Sequence, residues 1–321
     1  MTKVLIVRFS SIGDIVLTTP VIRCIKAQLK DVEVHYLTKQ KFVSVIEQNL
    51  YIDQIHTIKE SLSEVLPKLK AENFNYIIDL HHNARTLKLK LALGKKSFSF
   101  NKLNWEKLLM VQFKLNKLPN KHIVDRYMET VESIGVKNDQ QGLDYFISDK
   151  DHVNVNDVLP LTFHNGYNAL VVGGSYYTKQ IPLIKLKQIC ETSSKPLVLL
   201  GGKEDADVAE QVYQSFKDKT INLCGKLNLN QSASVIQQSS KVITSDTGLM
   251  HIAAAYKKDI ISVWGNTIPE FGMGPYLPGE NSQLLEVKNL SCRPCSKLGY
   301  RACPKKHFKC MNDIDVTSIQ I

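Results

Sequence analysis

The stretch KVITSDTGLMHIAAA, residues 241–255, joins a run of β-branched residues to an alanine-rich segment through a Ser-Asp-Thr-Gly turn. VLIVRFSSIGD, residues 4–14, has the same design: an apolar run enters a small-residue turn that ends on a carboxylate. Such turns bind anions, because the first turn of a helix carries unpaired N–H groups and the positive end of the helix dipole. Two junctions of this kind, far apart in the chain, predict two domains that face one phosphorylated ligand.

Apolar strands alternate with amphipathic stretches in both halves of the chain. This alternation is typical of parallel βαβ units with helices on both faces of a sheet. The pattern fades in a polar region at about residues 148–167 and then starts again. We therefore predict two doubly wound α/β domains, residues 1–155 and 165–321, a division that suits the chain length of 321 residues.

Two local features of the first half leave alternatives open. We expect the first helix to begin at Asp14 and to kink at Pro20, although a regular helix that begins at Pro20 also fits. Residues 95–121 interleave lysines with aromatic residues. We interpret this segment as a helical insertion with solvated lysines, and a membrane or acceptor surface is the alternative.

Composition and charge narrow the class of partner. The chain has 41 basic and 31 acidic residues, a formal charge of +10, which favours phosphosugars, nucleic acid or an anionic membrane face. Arg8 interrupts the first apolar run, so we predict neither a signal peptide nor a membrane span and expect a cytoplasmic protein. Seven cysteines, an odd number, indicate a reducing compartment.

Three loops of the second half follow predicted strands, and the carboxyl ends of parallel strands meet at the ligand-binding edge of a sheet. The loop at 173–179 offers backbone donors, hydroxyls and a lysine, which suit a diphosphate. The loop at 200–205 offers carboxylates to ribose hydroxyls, with helix capping as the alternative. The loop at 245–251 is the turn quoted first, where capping by Asp246 or Thr247 and a core position for His251 are the structural alternatives.

Asp14 lies at the other junction, in the first half of the chain. A carboxylate at a helix N-terminus is often only a cap. A sugar transfer needs a general base within reach of the acceptor hydroxyl, on the side opposite to the departing diphosphate. With the phosphate site predicted in the second domain, Asp14 is the candidate for this base.

Five motifs, in this order and over nearly the whole chain, resemble glycosyltransferase family 9, the lipopolysaccharide heptosyltransferases. They are Arg8-x-Ser10-Ser11-Ile12-Gly13-Asp14, Gly174-Ser175…Lys179…Pro182, Gly201-Gly202-x-Glu204, Asp246-Thr247-Gly248-x-Met250-His251 and Gly265-Asn266-Thr267-x-Pro269. The resemblance implies a GT-B fold of two Rossmann-like domains facing a cleft. It also implies metal-independent, inverting transfer of a heptose from ADP-heptose, or a related nucleotide sugar, to a lipid-linked saccharide at the cytoplasmic membrane face.

The resemblance also assigns residues to roles. It makes Asp14 the base and puts Ser11, Gly13 and Arg85 on the acceptor side. The donor site that it implies comprises Ser175, Thr178, Lys179, Glu204, Leu227, Asp246, Thr247, Gly248 and His251. Gln180-Ile181 replace the basic residue and tryptophan usual in the family, so the donor sugar stays open. Another GT-B transferase, an epimerase and a non-catalytic nucleotide-sugar-binding protein are the alternative functions.

Four cysteines close to the C-terminus form a separate signal: Cys292, Cys295, Cys303 and Cys310. Four thiolates at this spacing fit a tetrahedral structural zinc, and four reduced, locally packed thiols are the alternative. The flanking basic residues also resemble a zinc knuckle for nucleic acid, but the GT-B resemblance disfavours a nucleic-acid partner. We expect no cofactor to be required for catalysis.

Overall fold

The computed structural model describes residues 1–317, which form two compact units. The first comprises Met1–Leu103 and Lys121–Phe146, and the second comprises Asn104–Asn120 and the chain from Ile147 onward. The predicted boundaries, 1–155 and 165–321, differ from this division mainly in residues 104–120, which group with the second unit.

The first unit is built on a five-stranded parallel sheet with the order β3-β2-β1-β4-β5. Its strands are β1 (Thr2–Val7), β2 (Val32–Lys39), β3 (Gln54–Ile58), β4 (Tyr76–Asp79) and β5 (Lys96–Ser99). The helices of the chain up to residue 132 are α1 (Ile12–Val16), α2 (Thr19–Gln28), α3 (Leu66–Ala71), α4 (Ala84–Leu93), α5 (Asn104–Phe113) and α6 (Ile123–Glu132), of which α5 belongs to the second unit.

The centre of this sheet is apolar on both faces, as expected for a parallel sheet covered by helices. Val4, Leu5, Ile6 and Val7 of β1 are fully buried. The direction of winding reverses between β1 and β4, which are neighbours in the sheet. In sheets of this kind the ligand binds beyond the carboxyl ends of the strands at such a switch point.

A buried arginine fastens the segment after α6 to this unit. Arg23 of α2 is 5% exposed and donates to both carboxylate oxygens of Asp139, at 2.8 and 2.9 Å. It also donates to the carbonyl of Gly142 and to the carboxylate of Asp144. The Arg23 guanidinium lowers the pKa of Asp139 to about 2. Residues 121–146 thus return to the first unit.

The second unit contains a six-stranded parallel sheet with the order β11-β10-β9-β6-β7-β8. Its strands are β6 (Asn168–Val171), β7 (Leu197–Leu200), β8 (Thr220–Asn222), β9 (Lys241–Ser245), β10 (Asp259–Trp264) and β11 (Gln283–Glu286). The remaining helices are α7 (Val155–Val158), α8 (Leu183–Thr192), α9 (Ala206–Ser215), α10 (Leu229–Gln238), α11 (Gly248–Ala255) and α12 (Lys309–Asn312). Here the winding reverses between β6 and β9.

Both units therefore have the predicted doubly wound α/β architecture. The predicted kinked first helix is wrong, since α1 ends at Val16 and α2 begins at Thr19. The Thr18 hydroxyl and backbone N–H both donate to the Ile15 carbonyl, which closes the first helix. Pro20 then lies in the first turn of α2, where a missing N–H costs little. Within residues 1–317, no helix has the length and apolarity needed to cross a membrane.

Candidate active site

The first cluster of polar side chains lies at the switch point of the first unit. Arg8 follows β1, Leu80 follows β4, and the Leu80 N–H donates to the Val7 carbonyl. The chain from Arg8 to α1 and the chain from Leu80 to α4 therefore begin side by side at the ligand-binding edge of the sheet.

Asp14, the predicted base, lies in α1 and is held in place by three donors. Its Oδ1 is 2.6 Å from Nη2 of Arg8. Its Oδ2 accepts from the Ser11 hydroxyl at 2.8 Å and from the Ser11 backbone N–H at 3.1 Å. The side chain keeps 22% of its surface exposed. The carboxylate is thus fixed and also reachable by a ligand.

Arg8 is itself buried, at 8% exposure, and its guanidinium makes several further contacts. It donates to the carbonyls of Ser10 and Leu80, at 2.7 and 2.6 Å, and to the Tyr127 hydroxyl at 2.9 Å. Burial alone would lower the pKa of Arg8, but the Asp14 carboxylate raises it above the ordinary value. A permanent positive charge therefore stands beside Asp14.

The first turn of α4 carries the predicted acceptor-side arginine, Arg85. The Arg85 guanidinium lies 5.5 Å from the ring centre of Phe9. The ring centre of His81 lies 5.0 Å from that of Phe9. Phe9 directly follows Arg8, so Arg85 and Asp14 belong to the same edge of the sheet. Burial, with Arg8 adding to it, lowers the pKa of His81 to about 4, so this imidazole is neutral at neutral pH.

In the second unit, the predicted donor residues Lys179 and Asp246 meet at the switch point. Lys179 Nζ lies 2.5 Å from Oδ2 of Asp246, and both side chains are mostly buried. The Thr267 hydroxyl, from the loop after β10, lies 3.4 Å from the same oxygen. The loops after β6, β9 and β10 therefore converge, as the sequence predicted for the first two.

The turn between β9 and α11 behaves as a capped helix start. Thr247 is the N-cap, and its hydroxyl accepts from the Met250 N–H at 3.3 Å. Gly248 opens the helix, whose first N–H groups need partners outside it. His251 is 2% exposed and lies one turn into α11. Capping and phosphate binding are compatible here, because the Thr247 side chain satisfies only one of the free donors.

Thr178, predicted on the donor side, points elsewhere. It is 1% exposed, and its hydroxyl exchanges hydrogen bonds with the backbone of Tyr300 at 3.2 and 2.8 Å. Ser175 in the same loop is exposed. Thr178 therefore anchors the loop to the cysteine-rich segment, while Ser175 is accessible.

The loop after β7 contains two acids with different surroundings. Glu204 is exposed, and its carboxylate folds back over Gly202, where an added Cβ would clash with Oε2 of Glu204. Asp205 is 7% exposed and accepts from the Gly202 N–H at 2.8 Å. Glu204 is thus the accessible acid, and Asp205 is the helix cap, whose pKa burial raises.

Leu227, the predicted adenine contact, lies in the loop after β8. Its neighbour Gly225 has a positive φ of +72° and donates to the Gly201 carbonyl at 3.0 Å. The Cα of Lys203 lies 3.0 Å from where a Cβ of Gly225 would be. The half-buried Leu227 is thus on a loop packed against the one that carries Glu204.

Several residues of these sites escaped the prediction. Arg8 was noted as a motif residue and as a break in the first apolar run, but not as the partner of Asp14, although an arginine directly after a buried strand is a usable signal. Asn266 is 1% exposed, and within residues 1–317 its side-chain amide has no hydrogen-bond partner, which is a place where a bound ligand would supply one. The Tyr300 contact could not be predicted, because it joins residues 122 positions apart.

The cysteine-rich segment, residues 292–310, is part of the second unit. Cys310 is 6% exposed and part of its apolar core, and burial raises its thiol pKa to about 12. Cys292 Sγ lies 3.9 Å from Nε2 of His307. Among the described residues, no three of the four cysteine sulfurs lie within 4.8 Å of one another. Zinc at these cysteines stays a prediction, which metal analysis of the purified protein tests.

Two doubly wound parallel-sheet units, each with polar side chains at the switch point of its sheet, have the architecture of the GT-B glycosyltransferases. Residues 64–304 match the family model described as glycosyltransferase family 9 (heptosyltransferase). The chain belongs to this family.

Individual relatives agree with the family. Lipooligosaccharide heptosyltransferase 2 of Campylobacter jejuni is 26% identical over 94% of this chain and 91% of its own length. The crystal structure of a family 9 glycosyltransferase from Veillonella parvula superposes with a TM-score of 0.73 at 22% identity, covering 89% of this chain and 86% of that one. The structure of E. coli heptosyltransferase WaaC with ADP superposes with a TM-score of 0.67 at 20% identity and covers 88% of this chain and 92% of that one. These findings confirm the predicted fold class and the glycosyltransferase activity.

Proposed function

We propose that this chain transfers a heptose from ADP-heptose to a hydroxyl of an anionic, lipid-linked saccharide of the lipopolysaccharide core, with inversion at the anomeric carbon. The observation that carries the proposal is the Lys179–Asp246 pair at the switch point of the second sheet, in a chain of the heptosyltransferase family. The relative crystallised with ADP supports an adenine nucleotide as the leaving group.

In the proposed reaction, the acceptor oxygen forms a bond to the anomeric carbon while the bond from this carbon to the diphosphate breaks. Asp14 accepts the acceptor's proton, and the electron pair of the broken bond leaves on ADP. Arg8 orients the carboxylate through its ion pair, and Arg85 is available for an anionic group of the acceptor.

The donor is held by residues of the second unit. Lys179 and the free N–H groups at the start of α11 neutralise the diphosphate, with Ser175 as a further donor. Glu204 accepts from ribose hydroxyls, Leu227 contacts adenine, and Asp246, Thr247, Gly248 and His251 line the phosphates and the heptose. Because these groups neutralise the leaving group, we expect no divalent cation to be required.

A thermal-shift panel tests the donor assignment, since a ligand that binds the folded state raises its stability according to its affinity. ADP-heptose, other ADP-sugars, GDP-sugars and UDP-sugars are compared at equal concentration in the presence of EDTA. We expect ADP-heptose to raise Tm most, and ADP alone to raise it more than UDP. A larger shift with any UDP-sugar would refute the donor assignment, and binding that needs added Mg²⁺ would refute metal independence.

We further propose that α5 and the residues after it dock on the anionic inner face of the membrane that carries the acceptor. No residue of α5 is buried, and Trp105 and Phe113 are 68% and 65% exposed. Lys114 and Lys117 are exposed nearby. Apolar rings inserted at the interface, with lysines on anionic headgroups, are a known mode of peripheral binding.

Vesicle cosedimentation tests this docking surface. We expect binding to anionic vesicles that falls with salt, and a loss of about tenfold or more when Trp105 and Phe113 are both replaced by serine. Leu161→Ser is the control, because Leu161 is 81% exposed but outside this segment. Equal binding of the double variant and the control would contradict the proposal.

A further inference from the structure

A group of metal-ligating side chains lies in the first unit, apart from the candidate active site. His35 of β2, His56 of β3 and Glu72 each offer a ligand atom, and these atoms all lie within 4.8 Å of one another. Within residues 1–317, no other group of three or more His, Cys, Asp or Glu residues has its ligand atoms this close together. His35 and His56 are 0% and 2% exposed, so two polar rings are buried, each edge-on to the ring of Phe74.

The fold brings the three residues together from separate elements. Leu37 of β2 pairs with His56 of β3, so His35 and His56 lie on the same face of neighbouring strands. Glu72 directly follows α3, which covers this face with Leu69 in the core. The two rings are buried with Glu72 at their rim, whereas Asp14 lies beyond the carboxyl ends of the strands.

The hydrogen bonds around His35 already have the pattern of a metal ligand. His35 Nε2 lies 2.9 Å from Oε1 of Glu33, so the ring donates there and its Nδ1 carries a lone pair. Nδ1 lies 2.8 Å from Nε2 of His56. A carboxylate behind the outer nitrogen of a histidine is the usual partner of a metal-bound imidazole.

The second histidine is incompletely satisfied. Among the described residues, His56 Nδ1 is buried and has no hydrogen-bond partner. A buried nitrogen without a partner is costly, so the one hydrogen bond to His35 does not by itself offset the burial of the His56 ring. Metal binding at His56 Nε2 would move the ring proton to Nδ1, which gains no partner, so the stabilisation would come from two metal–nitrogen bonds in place of one shared hydrogen bond.

From this arrangement, we propose that His35, His56 and Glu72 bind one divalent transition-metal ion, zinc foremost, which ties β2, β3 and the end of α3 together. Two imidazoles and one carboxylate are a ligand set that zinc takes in proteins. Lys3 competes for Glu72, since its Nζ lies 2.7 Å from Oε2. Glu33, at 3.4 Å from Lys3, gives that ammonium group a second partner when Glu72 turns to the metal.

Cobalt substitution separates this site from the cysteines. The full chain is stripped with chelator, then titrated with Co²⁺ alone while the absorption spectrum is recorded. Nitrogen and oxygen ligands give visible d–d bands, whereas thiolates add strong charge-transfer bands in the near ultraviolet. We expect one equivalent of Co²⁺ whose visible bands appear without the thiolate bands, and a zinc titration that displaces it.

Single substitutions decide the assignment. We expect Glu72→Gln and His56→Gln to weaken this binding by about tenfold or more, and Glu33→Gln to weaken it by a similar factor through His35. Lys3→Gln should strengthen the binding of Co²⁺, because this substitution removes the cation that competes for Glu72. If the Lys3–Glu72 pair had only a structural role, Lys3→Gln would not strengthen Co²⁺ binding. Glu47→Gln, at an exposed acid of the same unit, is the matched control.

Folding of every variant is checked by circular dichroism in EDTA. If His56→Gln does not fold, Glu72→Gln decides, because Glu72 is at the rim of the cluster with 17% of its side chain exposed. Equal Co²⁺ affinity of wild type, Glu72→Gln and Glu47→Gln would overturn the proposal. So would a spectrum with thiolate bands only, which would assign the metal to the cysteines instead.

Discussion

Asn in place of Asp14 should reduce heptose transfer by about a thousandfold, the scale of a lost general base, while the affinity for ADP-heptose stays the same. The carboxamide has nearly the same shape, and it can still accept from the Ser11 hydroxyl and N–H that now contact Oδ2. It cannot take up the acceptor proton. Turnover is measured with a soluble acceptor, and donor binding is measured by calorimetry.

Two controls separate a chemical effect from a folding effect. Asp14→Asn leaves the Arg8 guanidinium without its anionic partner, but Arg8 keeps the Ser10 and Leu80 carbonyls and the Tyr127 hydroxyl. We therefore expect a lower Tm and an intact fold. Ser11→Ala removes one donor to Asp14 and keeps the base, so it should lose far less activity. Wild-type turnover in Asp14→Asn would end the assignment of Asp14 as the base.

The alternation of apolar and amphipathic segments was enough to predict the doubly wound fold. Leu197–Leu200 is an uninterrupted apolar run in the sequence and forms the whole of β7, because a fully buried parallel strand has no polar positions. The helical insertion predicted over residues 95–121 is wrong at its start, where Lys96–Ser99 forms the edge strand β5, which is mostly polar and partly exposed and so gave no apolar signal. The edge strand β11 has only two apolar residues between polar ones and is also partly exposed, so its signal in the sequence is weak.

Residues near each other in the chain were easier to assign than residues joined by the fold. The Asp14 turn and the Asp246 turn were visible in the sequence because each is a local junction of strand and helix. The orientation of Thr178 was not, because it depends on the Tyr300 backbone. The His35–His56 pair depends on the register of β2 with β3, which the sequence alone does not fix.

The second large effect is expected at Lys179. Lys179→Met should weaken the binding of ADP and of ADP-heptose by about a hundredfold, since a partly buried charge-assisted bond to phosphate is worth a few kcal/mol. Asp246 now holds Nζ at 2.5 Å, so the ammonium group is already positioned before the diphosphate arrives. Calorimetry with ADP measures the loss, and adenosine, which lacks the diphosphate, should bind both proteins equally.

The matched control is Lys217→Met, which removes an exposed lysine of the same unit after α9, away from the loops that hold the donor. Lys179→Arg should recover part of the affinity, because it keeps the charge with a different geometry. If the pair with Asp246 were only structural, Lys179→Met would lower Tm and leave ADP affinity unchanged. If Lys179 binds the diphosphate, Lys179→Met loses affinity for ADP and keeps its affinity for adenosine.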